Sequence, residues 1–157
     1  MATTRIILLP GAAHYPSSDF PALSQIGSPA RPCLLFDDTT DETAYWTAIA
    51  WQGLSGALTA VIHYRCADAT SGTAAWQVAV EAVGDGEEVH TGSFDTQNVG
   101  TGTVPGTTTY EDQISVTLTN DDSVAPGDLI RFAVNRDVSG DSVSNDLALL
   151  AVEIREA

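Results

Sequence analysis

Lysine is missing altogether from this 157-residue chain, and its six basic residues are all arginine: Arg5, Arg31, Arg65, Arg131, Arg136 and Arg155. Against them stand 21 acidic residues, for a formal net charge of −15. Binding a polyphosphate depends on clustered positive charge and counterion release, so no nucleic-acid partner is expected. Anionic membrane surfaces are excluded on the same ground. What such a charge supplies is solubility and repulsion between free copies. That suits a protein made in quantity or working in salt, where the field is screened.

Cysteine is nearly as scarce. Cys33 and Cys66 stand alone, in no CxxC pair, and could form one bridge or none. With no sign of export, two buried free thiols are expected. Long apolar runs are absent too: Ile6 to Leu9 is cut short by Pro10 and Gly11, too soon for a signal-peptide core, and no run is long enough to span a membrane. No repeat of solenoid or propeller length appears, and no stretch has helical periodicity.

What the chain has is short, regular punctuation. Gly53 and Gly56, Ser71-Gly72, Gly84 to Gly86, Gly100 to Gly106, Asn120 to Asp122, Pro126-Gly127 and Ser139 to Asp141 separate short segments rich in Val, Ile, Thr, Trp and Tyr, the signature of many strands joined by turns. Five segments alternate with period two. Residues 57–65 set Leu58, Ala60, Ile62 and Tyr64 against Thr59, Val61, His63 and Arg65. Residues 75–83 set Trp76, Val78, Val80 and Ala82 on one face, 113–119 set Ile114, Val116 and Leu118, and 129–136 set Ile130, Phe132 and Val134. Residues 147–155 set Ala148, Leu150, Val152 and Ile154 on one side. Weaker strands near 33–37, 43–50 and 92–97 bring the number to about eight. One-sided strands of this kind belong to antiparallel sheets with one wet face. The expected fold is therefore an all-β, two-sheet antiparallel sandwich, jelly-roll-like, with an immunoglobulin-like Greek key as the alternative.

Residues 1–32 read differently, as an extended N-terminal arm ahead of a sandwich domain at 33–157. Pro10, Pro16, Pro21, Pro29 and Pro32 are spread through it and disfavour regular sheet positions. Ile6, Ile7, Leu8, Leu9, Tyr15 and Phe20 are nonetheless too apolar for a free linker. They are the candidate protein-contact residues of an arm that lies along its own domain or along a neighbouring subunit.

No constellation for chemistry emerges, so no catalytic residue, cofactor or metal ligand is assigned. His14, His63 and His90 fall in three separate segments, whereas zinc or an activated nucleophile needs convergent partners. The acidic pairs Asp37-Asp38, Asp41-Glu42, Glu87-Glu88, Glu111-Asp112 and Asp121-Asp122 sit at expected turns or strand ends. They read as solvated turn residues rather than a glycosidase acid and base. Asp137, Asp141, Asn145 and Asp146 offer oxygen ligands for calcium, but their spacing is not that of an EF-hand, and a polar hairpin loop is expected. Gly100 to Thr109 has no lysine and no strand-to-helix context for a phosphate loop; it reads as a flexible connection or an edge segment pairing with another subunit. Trp76 reads as core, while Trp46 and Trp51, flanking a turn, are candidates for a sugar-stacking platform.

Three stretches taken together carry a resemblance: Phe36-Asp-Asp-Thr-Thr-Asp-Glu-Thr-Ala-Tyr-Trp46, Ala69-Thr-Ser-Gly-Thr-Ala-Ala-Trp-Gln-Val-Ala-Val-Glu81 and Asp146-Leu-Ala-Leu-Leu-Ala-Val-Glu-Ile-Arg155. With the strand from Leu58 to Arg65 and the turn and strand Ala125-Pro-Gly-Asp-Leu-Ile-Arg-Phe132, their order resembles β-sandwich virion structural proteins of tailed bacteriophages. The resemblance implies a capsid decoration or cement protein, a homotrimer that stabilises a shell by contacts with the major capsid protein or other virion proteins. A tail or fibre component is the nearest variant. The competing class is a carbohydrate-binding module or adhesin, which would need Trp46 or Trp51 exposed in a shallow groove.

Overall fold

The computed structural model describes residues 3–157. Among the described residues ten strands form: β1 (Thr3–Leu8), β2 (Ala22–Ile26), β3 (Arg31–Phe36), β4 (Thr43–Ile49), β5 (Leu58–Cys66), β6 (Thr73–Val83), β7 (Asn98–Thr103), β8 (Glu111–Leu118), β9 (Leu129–Arg136) and β10 (Leu147–Glu156). All pairings are antiparallel. The first sheet runs β2-β3-β10-β5-β8 with β1 also against β10, and the second runs β4-β9-β6-β7. From β3 onward the chain alternates between the sheets except at the β6–β7 hairpin. The result is two four-stranded layers in jelly-roll order, extended by β1 and β2.

The alternation read from sequence puts the right faces inside for four of the five strongest segments. Leu58, Ala60, Ile62 and Tyr64 of β5 and Ile114, Val116 and Leu118 of β8 are buried on the inner face of the first sheet, and Trp76, Val78 and Val80 of β6 and Ile130, Phe132 and Val134 of β9 on that of the second. The exception is β10. Its register slips between Leu149 and Ala151, a bulge that inserts one residue and reverses the side-chain parity. Leu147 and Leu149 therefore share the core with Val152 and Ile154, while Leu150 is only partly buried, on the outer side. A single period cannot describe a bulged strand.

Residues 3–32 are woven into the sandwich rather than held apart from it; Met1 and Ala2 lie outside the described residues. β1 and β3 lie end to end along one edge of β10, β3 against Leu147–Leu149 and β1 against Val152–Glu156. Between β1 and β2 the chain crosses to the other sheet, where His14 and Tyr45 exchange backbone bonds of 2.9 and 2.8 Å. The prolines sit where a missing donor is harmless. Pro10 opens a short 3-10 turn, and Pro32 lies where β3 has run past the end of β10 and has no second ladder to break. Glu156 ties the termini to the 55–56 turn: it accepts from Ser55 N (2.7 Å), Gly56 N (2.9 Å) and Arg5 Nη2 (2.9 Å). The Ser55 and Gly56 amides, with Arg5, hold its carboxyl below the usual carboxylate range.

Two further local expectations change. The strand expected near 92–97 forms instead at 98–103, and the glycine- and threonine-rich stretch pairs with β6 of its own chain. Its glycines are there for close approach. A Cβ on Gly100 would lie 2.7 Å from Val116 Cγ2 and 2.9 Å from the Ser115 carbonyl, and one on Gly102 2.9 Å from Ile114 Cγ1. Cys33 and Cys66 are both buried and free, as expected. Cys66 faces the core, whereas Cys33 stands in the opposite row of the sheet, opposite Ser24.

Gly100→Ala should cost about 1–3 kcal/mol in a urea denaturation series, the range for overpacking, while Gly106→Ala, whose Cβ would meet nothing within 4 Å, should be neutral. Equal, negligible costs for both would mean β7 does not press on β8.

Candidate functional site: a groove on the outer face of the first sheet

At the end of β9 the Arg136 side chain is fully enclosed. Its guanidinium donates to Asp141 through Nε (2.9 Å) and Nη2 (3.2 Å), to the Asn145 and Asp37 carbonyls through Nη1 (2.8 and 3.2 Å), and to the Val143 carbonyl through Nη2 (2.6 Å). The loop 137–146 is thus wrapped around a guanidinium. Of the four oxygen donors weighed for calcium, Asp141 faces Arg136, Asp137 accepts from Ser139 and Gly140 within its own turn, and the Asn145 carbonyl is taken by Arg136. Asp146 turns to Asp37 and Asp38, whose carboxylate oxygens lie within 4.8 Å of its own. Partial burial, then the neighbouring Asp37 and Asp38 charges, raise the Asp146 carboxyl above its ordinary value.

This loop forms one wall of a groove on the outer face of the first sheet. At the loop end lies a hollow of about 500 Å³, floored by Leu35 and Ala148 and edged by Asp38, Asp68, Ser144 and Asp146, with Arg65 at its inner side. Arg65 and Ile26 also line the next hollow, about 320 Å³, with Arg31 and Thr109. Arg31 in turn reaches a third, about 550 Å³ and almost wholly apolar, where Leu9, Pro10 and Pro32 meet Leu150. The third hollow involves the β10 bulge residue, near the junction where β3 gives way to β1. Shared lining residues connect the three.

The sequence candidates are placed differently from one another. Trp46 is 2% exposed, and its Nε1 donates to the Leu9 carbonyl at 2.9 Å; Trp51 Nε1 donates to Glu156 at 3.2 Å, and the Arg5 guanidinium lies over its ring. Neither forms an open sugar platform: one fills the core and the other braces the termini. Of the candidate contact residues, Leu8 is buried and Ile6 and Tyr15 are partly buried, while Ile7, Leu9 and Phe20 are exposed at 58%, 54% and 44%. His63 donates from Nδ1 to Glu111 (2.7 Å) on the first sheet, while His14 lies at the edge of the second. Several of the acidic pairs serve backbone amides at turns: Asp41 takes Val138 N, Glu42 takes Asp37 N, Glu87 takes Gly84 N and Asp122 takes Ala82 N.

The outer face of the second sheet is covered by its own loop. Phe94 stacks on Tyr45 with ring centroids 5.5 Å apart, the Arg131 guanidinium lies 5.1 Å from the Phe94 ring, and Arg131 pairs with the buried Glu81. The groove itself was not legible in sequence, because its lining comes from six separated segments and has no local spacing.

No protein-family model and no curated protein matches the chain. Solved structures match in fold. The CBM22-1–GH10 modules of Clostridium thermocellum endo-1,4-β-D-xylanase 10B, complexed with xylohexaose, align with a TM-score of 0.50 and 12% identity over 96% of this chain and 27% of that one. The arabinose-bound α-L-arabinofuranosidase MgGH51 aligns at 0.49 and 18% over 91% and 23%, and TmCBM61 in complex with β-1,4-galactotriose at 0.46 and 10% over 87% and 83%. The chain spans about a quarter of the first two. At such identities the xylanase likeness shows the β-sandwich fold alone.

Arg136→Met should destabilise the protein by about 3–5 kcal/mol in chemical denaturation, because it strands the Asp141 carboxylate inside the fold. Adding Asp141→Asn should restore part of that loss. A single-variant cost below about 1 kcal/mol would mean that the loop does not depend on the pair.

Proposed function

We propose that the chain is a carbohydrate-binding module without catalytic function, with the groove on the first sheet as its sugar site. The observation that carries this reading is the groove's make-up. Leu35 and Ala148 offer an aliphatic floor for a sugar-ring face, and Asp38, Asp68, Ser144 and Asp146 at its rim offer hydroxyl partners. A few convergent polar groups over an apolar floor is the usual composition of a small-ligand site. The sandwich fold agrees with it.

A second reading keeps the virion decoration role, with the major capsid protein or other virion proteins as partners and a homotrimer as the working form. Its support is the exposure of Ile7, Leu9 and Phe20, apolar side chains on a strongly acidic surface, available to a neighbouring subunit.

A glycan array at about 0.15 M salt separates the two. Wild type should bind a restricted set of oligosaccharides. Ala67→Trp, which plugs the groove beside Asp68, should lose at least about ten-fold in affinity, a change of about 1.4 kcal/mol, and Tyr45→Ala on the other sheet should not. Absence of any sugar binding, together with a trimer by light scattering, would favour the virion reading instead.

A further inference from the structure

We propose that the sugar taken by this groove carries an anionic group, a carboxylate or a sulfate, held between Arg31 and Arg65. The inference rests on the carbohydrate reading above and names the class of sugar.

Four of the six arginines are matched to carboxylates: Arg5 with Glu156, Arg131 with Glu81, Arg136 with Asp141 and Arg155 with Glu153. Among the described residues Arg31 and Arg65 have no carboxylate oxygen within 4.0 Å. In a chain with 21 acidic residues and six arginines, composition alone would give every guanidinium a partner. The two left over line the same hollow.

Arg65 also shows what keeps it free. Its cross-strand neighbour in register is Glu111, but Glu111 is drawn to His63 at 2.7 Å and to Gln113 at 3.2 Å. The Arg65 Nε is buried and has no acceptor. A buried donor left unmatched is costly unless a ligand supplies the acceptor. A guanidinium fork fits the two oxygens of a carboxylate or sulfate better than it fits a hydroxyl. The adjoining hollow, with Asp38, Asp68 and Ser144, suits the hydroxyls of the same or the next sugar residue. Anion and hydroxyls are thus addressed by adjoining hollows of one groove. The overall charge repels a long polyanion, but at about 0.15 M salt this repulsion is screened over about 8 Å, so short oligosaccharides are the suitable probes.

The test is titration calorimetry at that ionic strength with trigalacturonate, a sulfated galactotriose and neutral galactotriose, on wild type, Arg65→Gln and Arg31→Gln, each variant checked for native near-UV circular dichroism. One acidic trisaccharide should bind at least ten-fold tighter than the neutral one, and whichever does so identifies the anion. Each substitution should cost the acidic sugar about ten-fold more affinity than it costs the neutral one. Equal affinity for all three sugars, or a preference that survives Arg65→Gln, would overturn the anionic assignment and leave the carbohydrate reading standing. Binding to none of them, with an empty glycan array, would overturn both.

Discussion

Arg136 carries a full positive charge into the protein interior, where an unmatched ion would be prohibitively expensive, and one end of the sandwich is organised to receive it. Asp141 neutralises it, and carbonyls from the ends of β3 and from the 143–145 segment take its remaining donors. Because Arg136 belongs to the second sheet and Phe36 and Asp37 leave the first, the side chain joins the two layers. The same bonds fix the course of residues 143–146, which form a wall of the groove. A loop whose acidic residues look ready for calcium is held by an internal cation of the protein's own.

The second determinant is the bulge in β10. Without it, Leu147 and Leu149 could not face the core together with Val152 and Ile154. With it, Leu150 is turned outward at the point where β3 ends and β1 begins. The irregularity that keeps the core filled thus also shapes the apolar end of the groove. On the opposite sheet, Phe94 and the loop that bears it lie over Tyr45 and Arg131.

Sheet architecture was legible in the sequence because alternation reports burial directly, and Ile62, Tyr64, Val116 and Phe132 point where their parity says. What escaped depends on contacts distant in sequence. Nothing near Leu150 signals a bulge, and nothing near Pro10 or Pro32 shows that one opens a turn and the other is paired on one side only, with β2. Glycines 100 and 102 imitate a flexible connection until β8 is seen pressing on them. The candidate site was least visible of all. Trp46 and Trp51 drew attention as aromatic residues beside a turn, yet burial and Glu156 occupy them. Arg31 and Arg65 became notable only once their neighbours proved to be engaged elsewhere.

The most direct measurement is an NMR titration of isotope-labelled protein with trigalacturonate and with galactotriose, following backbone amides and the arginine Nε–H signals. Saturable shifts clustered at Leu35, Ala67, Ala148 and the Arg65 Nε–H are expected. Shifts centred on Tyr45 and Phe94, or no saturable shift with either sugar, would contradict the assignment of the first-sheet groove as the binding face.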